Sequence, residues 1–249
     1  VRSDVTRAHY DRLATSYEDN WAYSPDFIAW MTGTIVNRLG LRPTDTVLDL
    51  GGGTGLYSRG MAEHAAMVVC ADPSNGMLAQ LPSDTRLSPL HAGAEEIVDA
   101  KVRLPHQAYD AILLKEVVHH FDDPARILAG LARLLRPGAR ILVVMLPTMI
   151  DYPLFDAALR LFRQRQPDPQ HIAEAMTASG LRAEVTYEGF PLVFTRERYI
   201  NMVRSRYMSL LSSFTDAELE QGVKEILARH PGPEVRFTDR FAFVLGTAP

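Results

Sequence analysis

Short apolar runs alternate along this chain with stretches of helical period. Thr46-Val-Leu-Asp-Leu50 is β-branched and apolar and stops abruptly at Gly51-Gly-Gly-Thr-Gly55. Met67-Val-Val-Cys-Ala-Asp72, Leu87-Ser-Pro-Leu-His91, Ala111-Ile-Leu-Leu114 and Arg140-Ile-Leu-Val-Val-Met-Leu146 repeat the strand signal. The unbroken run 111–114 suits a parallel strand buried on both faces. Helical pattern fills the gaps: Leu56 to about Glu63, a helix opening at Met77, and Pro124 to Leu135 with Ile127, Leu128, Leu131, Leu134 and Leu135 on one face. Arg136-Pro-Gly138 is a stop signal. Residues 147–180 read as helical, with Gly180 as C-cap. Ala183-Glu-Val-Thr-Tyr187 alternates as a sixth strand, and Phe237 to Val244 forms the last. This alternation predicts an α/β fold on a mostly parallel, doubly wound sheet.

The two ends of the chain read differently. Val5, Tyr10, Leu13 and Tyr17 recur at helical spacing, and Trp21, Tyr23, Phe27, Ile28, Trp30 and Met31 form the most aromatic segment. Ser24-Pro25 marks a helix start, serine as cap and proline at the first helical position. Between the last two strands lies an insertion, about 196–231. Glu197 to Leu211 reads as one helix. Thr215-Asp-Ala-Glu218 is a capping box opening a second helix to Arg229, closed by Pro231-Gly-Pro233. One domain spans 1–249 on this reading: a helical lid over 1–40, a ligand-binding core over 41–150 and a substrate-side half over 151–249.

Charge and composition narrow the partners. A net charge of −4 gives no support for nucleic acid. The single cysteine, Cys70, excludes an internal disulfide framework and a Cys-rich zinc site. It falls in a core strand and reads as an inert buried thiol. No apolar run reaches the roughly 18 residues of a membrane span. The expectation is a cytoplasmic protein with a small-molecule substrate, no metal and no membrane or nucleic-acid partner.

The candidate chemistry gathers where strands end. Asp49 lies inside the first strand, two residues before the glycines, and Asp72 closes the second, about 20 residues on, the spacing at which a carboxylate meets ribose hydroxyls. Gly51 and Gly53 fit the first two places of the dinucleotide fingerprint, but Leu56 stands at the third. Val47-Leu-Asp-Leu-Gly-Gly-Gly-Thr-Gly55, Val69-Cys-Ala-Asp-Pro-Ser74 and Leu134-Leu-Arg-Pro-Gly-Ala-Arg-Ile-Leu142 together resemble the class I S-adenosylmethionine-dependent methyltransferases. The resemblance implies a Rossmann-like, mostly parallel seven-stranded sheet with an antiparallel last strand, S-adenosyl-L-methionine as cofactor and S-adenosyl-L-homocysteine as product. It implies a cofactor site of Tyr17, Asp49, Gly51, Gly53, Asp72, Pro73, Met77, Ala94, Glu95 and Lys115, with Met77 on the adenine. His9-Tyr-Asp-Arg-Leu-Ala-Thr-Ser-Tyr17 is similar to the family's opening motif, which sets Tyr10 and Tyr17 near the methionine end. An aspartate frequent in the family is Gly93 here, which leaves the backbone of Ala94 and Glu95 to read the adenine edge.

Just past the fourth strand stand Lys115, Glu116, His119 and His120. Histidine accepts a proton near neutral pH. If this segment is helical, Glu116 and His119 share a face and the carboxylate orients the imidazole, while His120 points about 100° away. His119 is thus the expected base, assisted by Glu116 or Tyr23, with His120 as alternate. The expected acceptor contacts are Trp21, Tyr23, Arg204 and Tyr207. Glu-x-x-His with an aromatic lid resembles bacterial indole C3-methyltransferases, which implies methylation of an electron-rich ring carbon in natural-product biosynthesis. Methylation at oxygen or nitrogen of a small metabolite, and a non-methylating cofactor-binding protein on the same fold, stand beside it.

Overall fold

The structure is a computed structural model and describes residues 24–249. Its strands are β1 (Thr46–Leu50), β2 (Met67–Asp72), β3 (Leu87–His91), β4 (Tyr109–Lys115), β5 (Leu135–Met145), β6 (Arg182–Thr195) and β7 (Glu234–Thr247). They form one seven-stranded sheet in the order β3-β2-β1-β4-β5-β7-β6. β1 pairs in parallel with β2 and β4, β2 with β3, and β4 with β5. β7 runs antiparallel between β5 and β6. The chain winds outward from β1 to β3 and then restarts at β4, so the switch point lies between β1 and β4, where open α/β sheets bind ligands beyond their carboxyl ends.

The helices are α1 (Pro25–Leu39), α2 (Ser58–Met61), α3 (Asn75–Leu78), α4 (Ala94–Val98), α5 (Pro124–Ala132), α6 (Asp156–Arg165), α7 (Pro169–Ala178), α8 (Arg196–Arg204) and α9 (Asp216–Arg229). Both faces of the sheet are covered. Val47, Val68, Leu113 and Val144 face the layer holding Phe27, Met31 and Ile35 of α1. Leu48, Val69, Ile112 and Val143 face Ile127, Leu128 and Leu131 of α5 and Ile172 and Met176 of α7. That two-sided burial is why the central strands read as continuous apolar runs. α1 starts as its sequence predicts: the Phe27 amide donates to the Ser24 hydroxyl at 3.1 Å, with Pro25 next. It lies inside the segment expected as a lid, yet its apolar side is buried in the core. Cys70 is buried and burial pushes its thiol up, as expected of an inert thiol. Among the described residues, no helix is long and apolar enough to cross a membrane.

Several element bounds differ from the sequence pattern. The helix expected over 56–63 shortens to α2. The helix expected to reach Leu135 ends at Ala132, because Leu135 already pairs with Tyr109 and the Tyr109 amide bonds the Leu134 carbonyl. Residues 147–155 are not helical; Pro147 and Pro153 each lack an amide hydrogen and disfavour helical φ/ψ in the residue before them. The single helix expected over 197–211 splits. α8 ends with Arg206 in the left-handed region (φ 57°), the Arg206 and Tyr207 amides bonding the Val203 and Met202 carbonyls. This is a Schellman stop on a residue other than glycine, and a 3-10 turn over Ser209–Ser213 follows. The capping box at Thr215 and Glu218 forms as expected.

β6 and β7 are far longer than their alternation suggests, 14 residues each. β5 meets only Ala242–Thr247 of β7, while β6 pairs along its whole length. The outer half of this hairpin therefore stands beyond the carboxyl end of β5, and α8 and α9 fill the link at its tip. α9 is fixed from beneath by Phe155. A Cβ built on Gly222 would lie 2.3 Å from Phe155 Cδ1, and that ring is itself held edge-on by Phe214 at 4.9 Å. Helix propensity alone favours Gly222→Ala by about 1 kcal/mol. The overpacking dominates, and we expect the variant to lose about 1–2 kcal/mol of stability in urea unfolding. Equal or higher stability would show that Phe155 does not hold α9.

Candidate functional site

The turn after β1 is built of glycines for a geometric reason. Gly51, Gly53 and Gly55 sit at φ 76°, 58° and 78°, a region costly for other L residues. Space is equally limiting at Gly51, where a Cβ would fall 2.2 Å from Val117 Cγ1. At Gly53 the neighbouring space is open but for Met77 Cε, 3.5 Å from such a Cβ. The amides of Gly51 and Gly52 both donate to the Ala71 carbonyl, at 2.7 and 3.2 Å, and tie the turn to β2.

Two acids flank this turn. Asp72 accepts from the Gly53 amide on one oxygen (3.1 Å) and from the Ser74 amide on the other (2.8 Å). Asp49 is buried and accepts from the Ser58 hydroxyl. Burial pushes its carboxyl up to about 6; the Ser58 hydrogen bond opposes this, Asp72 adds to it and Lys115 offsets it in part. Pro73 and Glu95 border Gly93, and Ala94 opens α4 behind it. Buried Met77 lies on the same side as the bare Gly53. A carboxylate beside the turn, an apolar thioether and a turn bare of side chains are the surroundings that an adenosine with a cationic tail requires. The residues present fit the expected cofactor.

Beyond β4 the structure corrects the expected dyad. Glu116 stands in the left-handed region (φ 56°) and only Val118–His120 forms a 3-10 turn, so no α-helix puts Glu116 and His119 on one face. Its carboxylate instead accepts from the Leu146 amide at 2.8 Å, and burial raises its pKa. His120 does not point away from His119: their ring centroids are 4.0 Å apart. The Lys115 ammonium lies 4.9 Å over the Tyr57 ring and 5.4 Å over that of Phe241.

Arg204 is also a correction. It lies on the outer side of α8 in a two-pronged ion pair with Glu220 of α9 (2.7 and 2.9 Å), because Tyr199, Ile200, Met202 and Val203 take the inner side. Tyr207 does turn inward; it is buried with its hydroxyl 3.3 Å from that of Tyr199. Tyr10, Tyr17, Trp21 and Tyr23 lie outside the described residues.

One group was missed by sequence reasoning. Asp239 of β7 is fully buried, its Oδ1 accepting from the Tyr152 hydroxyl at 2.6 Å. Lys115, Glu116, Tyr57 and Tyr207 are its charged and titratable neighbours. The signal was present in Val235-Arg-Phe-Thr-Asp-Arg-Phe-Ala-Phe243, where period two sets an acid in an apolar row.

Comparison with known proteins agrees with this geometry. A family model described as a methyltransferase domain matches residues 48–143. The chain is 36% identical over 124 residues to an uncharacterized methyltransferase of Mycobacterium tuberculosis, covering 48% of this chain and 44% of that protein. It thus spans less than half the length of that relative. It is 24% identical over 218 residues to a ubiquinone biosynthesis O-methyltransferase of Rhizobium leguminosarum, covering 73% and 83% of the two chains. A phosphoethanolamine N-methyltransferase 2 of Haemonchus contortus, solved with S-adenosyl-L-methionine, superposes with a TM-score of 0.61 at 19% identity, over 96% of this chain and 57% of that one.

The buried acid beside the glycine turn has a measurable cost. Its raised pKa means that the folded state holds the proton longer than the unfolded chain. Stability therefore falls as pH climbs from 3.8 to about 6 and levels above. Asp49→Asn keeps an oxygen for Ser58 and removes the charge. We expect it to be more stable than the parent by about 3 kcal/mol at pH 8 and nearly equal to it near pH 4, read by urea unfolding at both values. A loss of stability at pH 8 would contradict the assignment.

Proposed function

We propose that this chain, whose residues 48–143 match a methyltransferase-domain model, transfers a methyl group from S-adenosyl-L-methionine to a small-molecule acceptor. We read that acceptor as an electron-rich aromatic ring, such as indole methylated at C3. The cofactor supplies a methyl group already activated on a sulfonium. The chain has to hold the acceptor in line, keep water out and take one proton, and positioning alone provides much of the acceleration. Asp72 would hold the ribose, Met77 the adenine, and Asp49 would face the cationic methionine end.

The observation that carries an aromatic acceptor is the ring cluster at the carboxyl end of β4. Phe27, Trp30, Phe190 and Phe241 lie within 6.3 Å of one another, centroid to centroid, in five pairings. Lys115, four residues before His119, lies over Phe241. On this reading, as the ring carbon bonds to the methyl group and the sulfur–carbon bond breaks, His119 takes the ring N–H proton. Glu116 serves by holding the loop after β4 to the exit of β5, through Leu146, rather than by orienting His119. Tyr23 remains the assisting group expected from the sequence. Methylation at oxygen is the second reading, favoured by the O-methyltransferase relative that covers 73% of this chain.

Calorimetry with S-adenosyl-L-homocysteine, followed by a mass-spectrometric screen of indoles, phenols and amines, tests the reading. A product one methylene unit heavier on a ring carbon supports it, and one on oxygen moves the reading to the relative's chemistry. Absence of cofactor binding removes both. His119→Ala is expected to lower kcat roughly 10²–10⁴-fold with unchanged affinity for S-adenosyl-L-homocysteine. Full turnover at saturating acceptor would remove His119 as the base.

A further inference from the structure

Along β7, Val235, Phe237, Asp239, Phe241 and Phe243 point to one face, since side chains alternate. Four are apolar and pack into the core on the α1 side of the sheet. The fifth is a carboxyl with no exposed surface. Its Oδ1 takes the Tyr152 hydroxyl, while its buried Oδ2 has no hydrogen-bond partner among the described residues. An unpaired polar atom in such a place is costly, more so if charged, and a phenylalanine there would continue the row without that cost.

The surroundings are charged and aromatic. Lys115 and Glu116 come from the end of β4, Tyr57 from the turn after β1, Tyr152 from the segment after β5 and Tyr207 from the end of α8. All meet beyond the carboxyl end of the sheet. Among the described residues, the cluster holds two negative charges against one lysine when both acids are ionised. Rings close around it: Phe237 lies 5.0 Å from Tyr152 and 5.8 Å from Tyr199. A surplus carboxylate among aromatic faces suits a cation, drawn both by charge and by the ring quadrupoles.

Resting on the methyltransferase reading above, we propose that Asp239 is the anchor for a protonated amine on the aromatic acceptor, Oδ2 receiving the ammonium while Tyr152 fixes the carboxyl through Oδ1. This makes the acceptor an arylalkylamine rather than a bare ring, and leaves the reacting ring proton to His119. The pH behaviour follows from the same surroundings. Burial pushes the Asp239 carboxyl up to about 7; the Tyr152 hydrogen bond and Lys115 counter this, and Glu116 adds to it. The anchor is charged above that value and neutral below it, whereas an alkyl amine keeps its proton to about pH 10.

The test is calorimetry on the intact protein saturated with S-adenosyl-L-homocysteine, with tryptamine and indole as probes. The parent protein is expected to bind tryptamine about tenfold or more tighter than indole at pH 8, with the preference shrinking at pH 6. Asp239→Asn preserves shape and is expected to abolish the preference at pH 8 while leaving affinity for S-adenosyl-L-homocysteine unchanged. Tyr152→Phe is expected to reduce it in part. A parent that shows no preference, or binds neither ring, overturns the proposal, as does an Asp239→Asn protein that keeps the preference. An Asp239→Asn protein that is merely more stable, with binding unaltered, marks Asp239 as a tolerated buried acid and overturns it too. Failure of S-adenosyl-L-homocysteine to bind the parent instead removes the underlying reading.

Discussion

Two amides on one carbonyl hold the site together. Gly51 and Gly52 both donate to Ala71, which pins the turn after β1 to the neighbouring strand. With the turn pinned, Asp49 and Asp72 stand at fixed places on either side of a backbone that carries no side chains. The constraint reaches further through Val117, whose methyl group occupies the space a Gly51 side chain would need. Val117 lies two residues before His119. The loop after β4 is therefore shaped by the turn after β1, and neither can change alone.

The same loop is tied on its other side. A left-handed glutamate is a strained choice, costing about 1–2 kcal/mol relative to glycine. Glu116 adopts it and gains a hydrogen bond to the Leu146 amide, joining the ends of β4 and β5. Leu146 in turn accepts from the Gln166 side chain at 2.7 Å. The loops after β1, β4 and β5 are thus laced by short polar contacts on top of their packing. Backbone strain of this kind persists where the surroundings over-determine it, and it gathers at ligand-binding ends of folds.

What was legible in the sequence depended on whether local pattern or distant packing decides the structure. The central strands read cleanly because burial on both faces writes itself as Val, Ile and Leu in unbroken runs. Ser24-Pro25 and Thr215-Asp-Ala-Glu218 read cleanly because a cap is a local hydrogen bond. The outer half of the β6–β7 hairpin did not. Its residues pair only with each other and pack on elements far away in sequence, and Gly189 and Pro191, which weaken a strand pattern, sit in a continuous ladder. Arg204 and Tyr207 are only three residues apart, yet one reaches the surface and the other the core, because Arg206 turns left-handed between them. The Glu116–His119 pairing failed for the same reason: it assumed helix where one left-handed residue breaks the path. Asp239 was written in the alternation, but an acid in an apolar row reads as strand noise until the row is known to be buried.

These acids share one feature that spacing could not show. Asp49, Glu116 and Asp239 each have a carboxyl pushed up by burial, and Lys115 lies near enough to all three to oppose that rise. One ammonium cannot neutralise three carboxylates. Its own position, over the rings of Tyr57 and Phe241, is shared between apolar and charged neighbours. Among the described residues, these three acids thus share one lysine at the end of the sheet where the switch point lies. A fold optimised for stability alone would replace such acids with apolar residues, often at no loss. Their grouping at one end, around one lysine, is an arrangement that cationic ligands would complement. On the proposals above, a cation at the methionine end would meet Asp49 and one on the acceptor would meet Asp239, so that each ligand would neutralise a different acid. The stability that such buried acids cost would then return as selectivity for charged ligands.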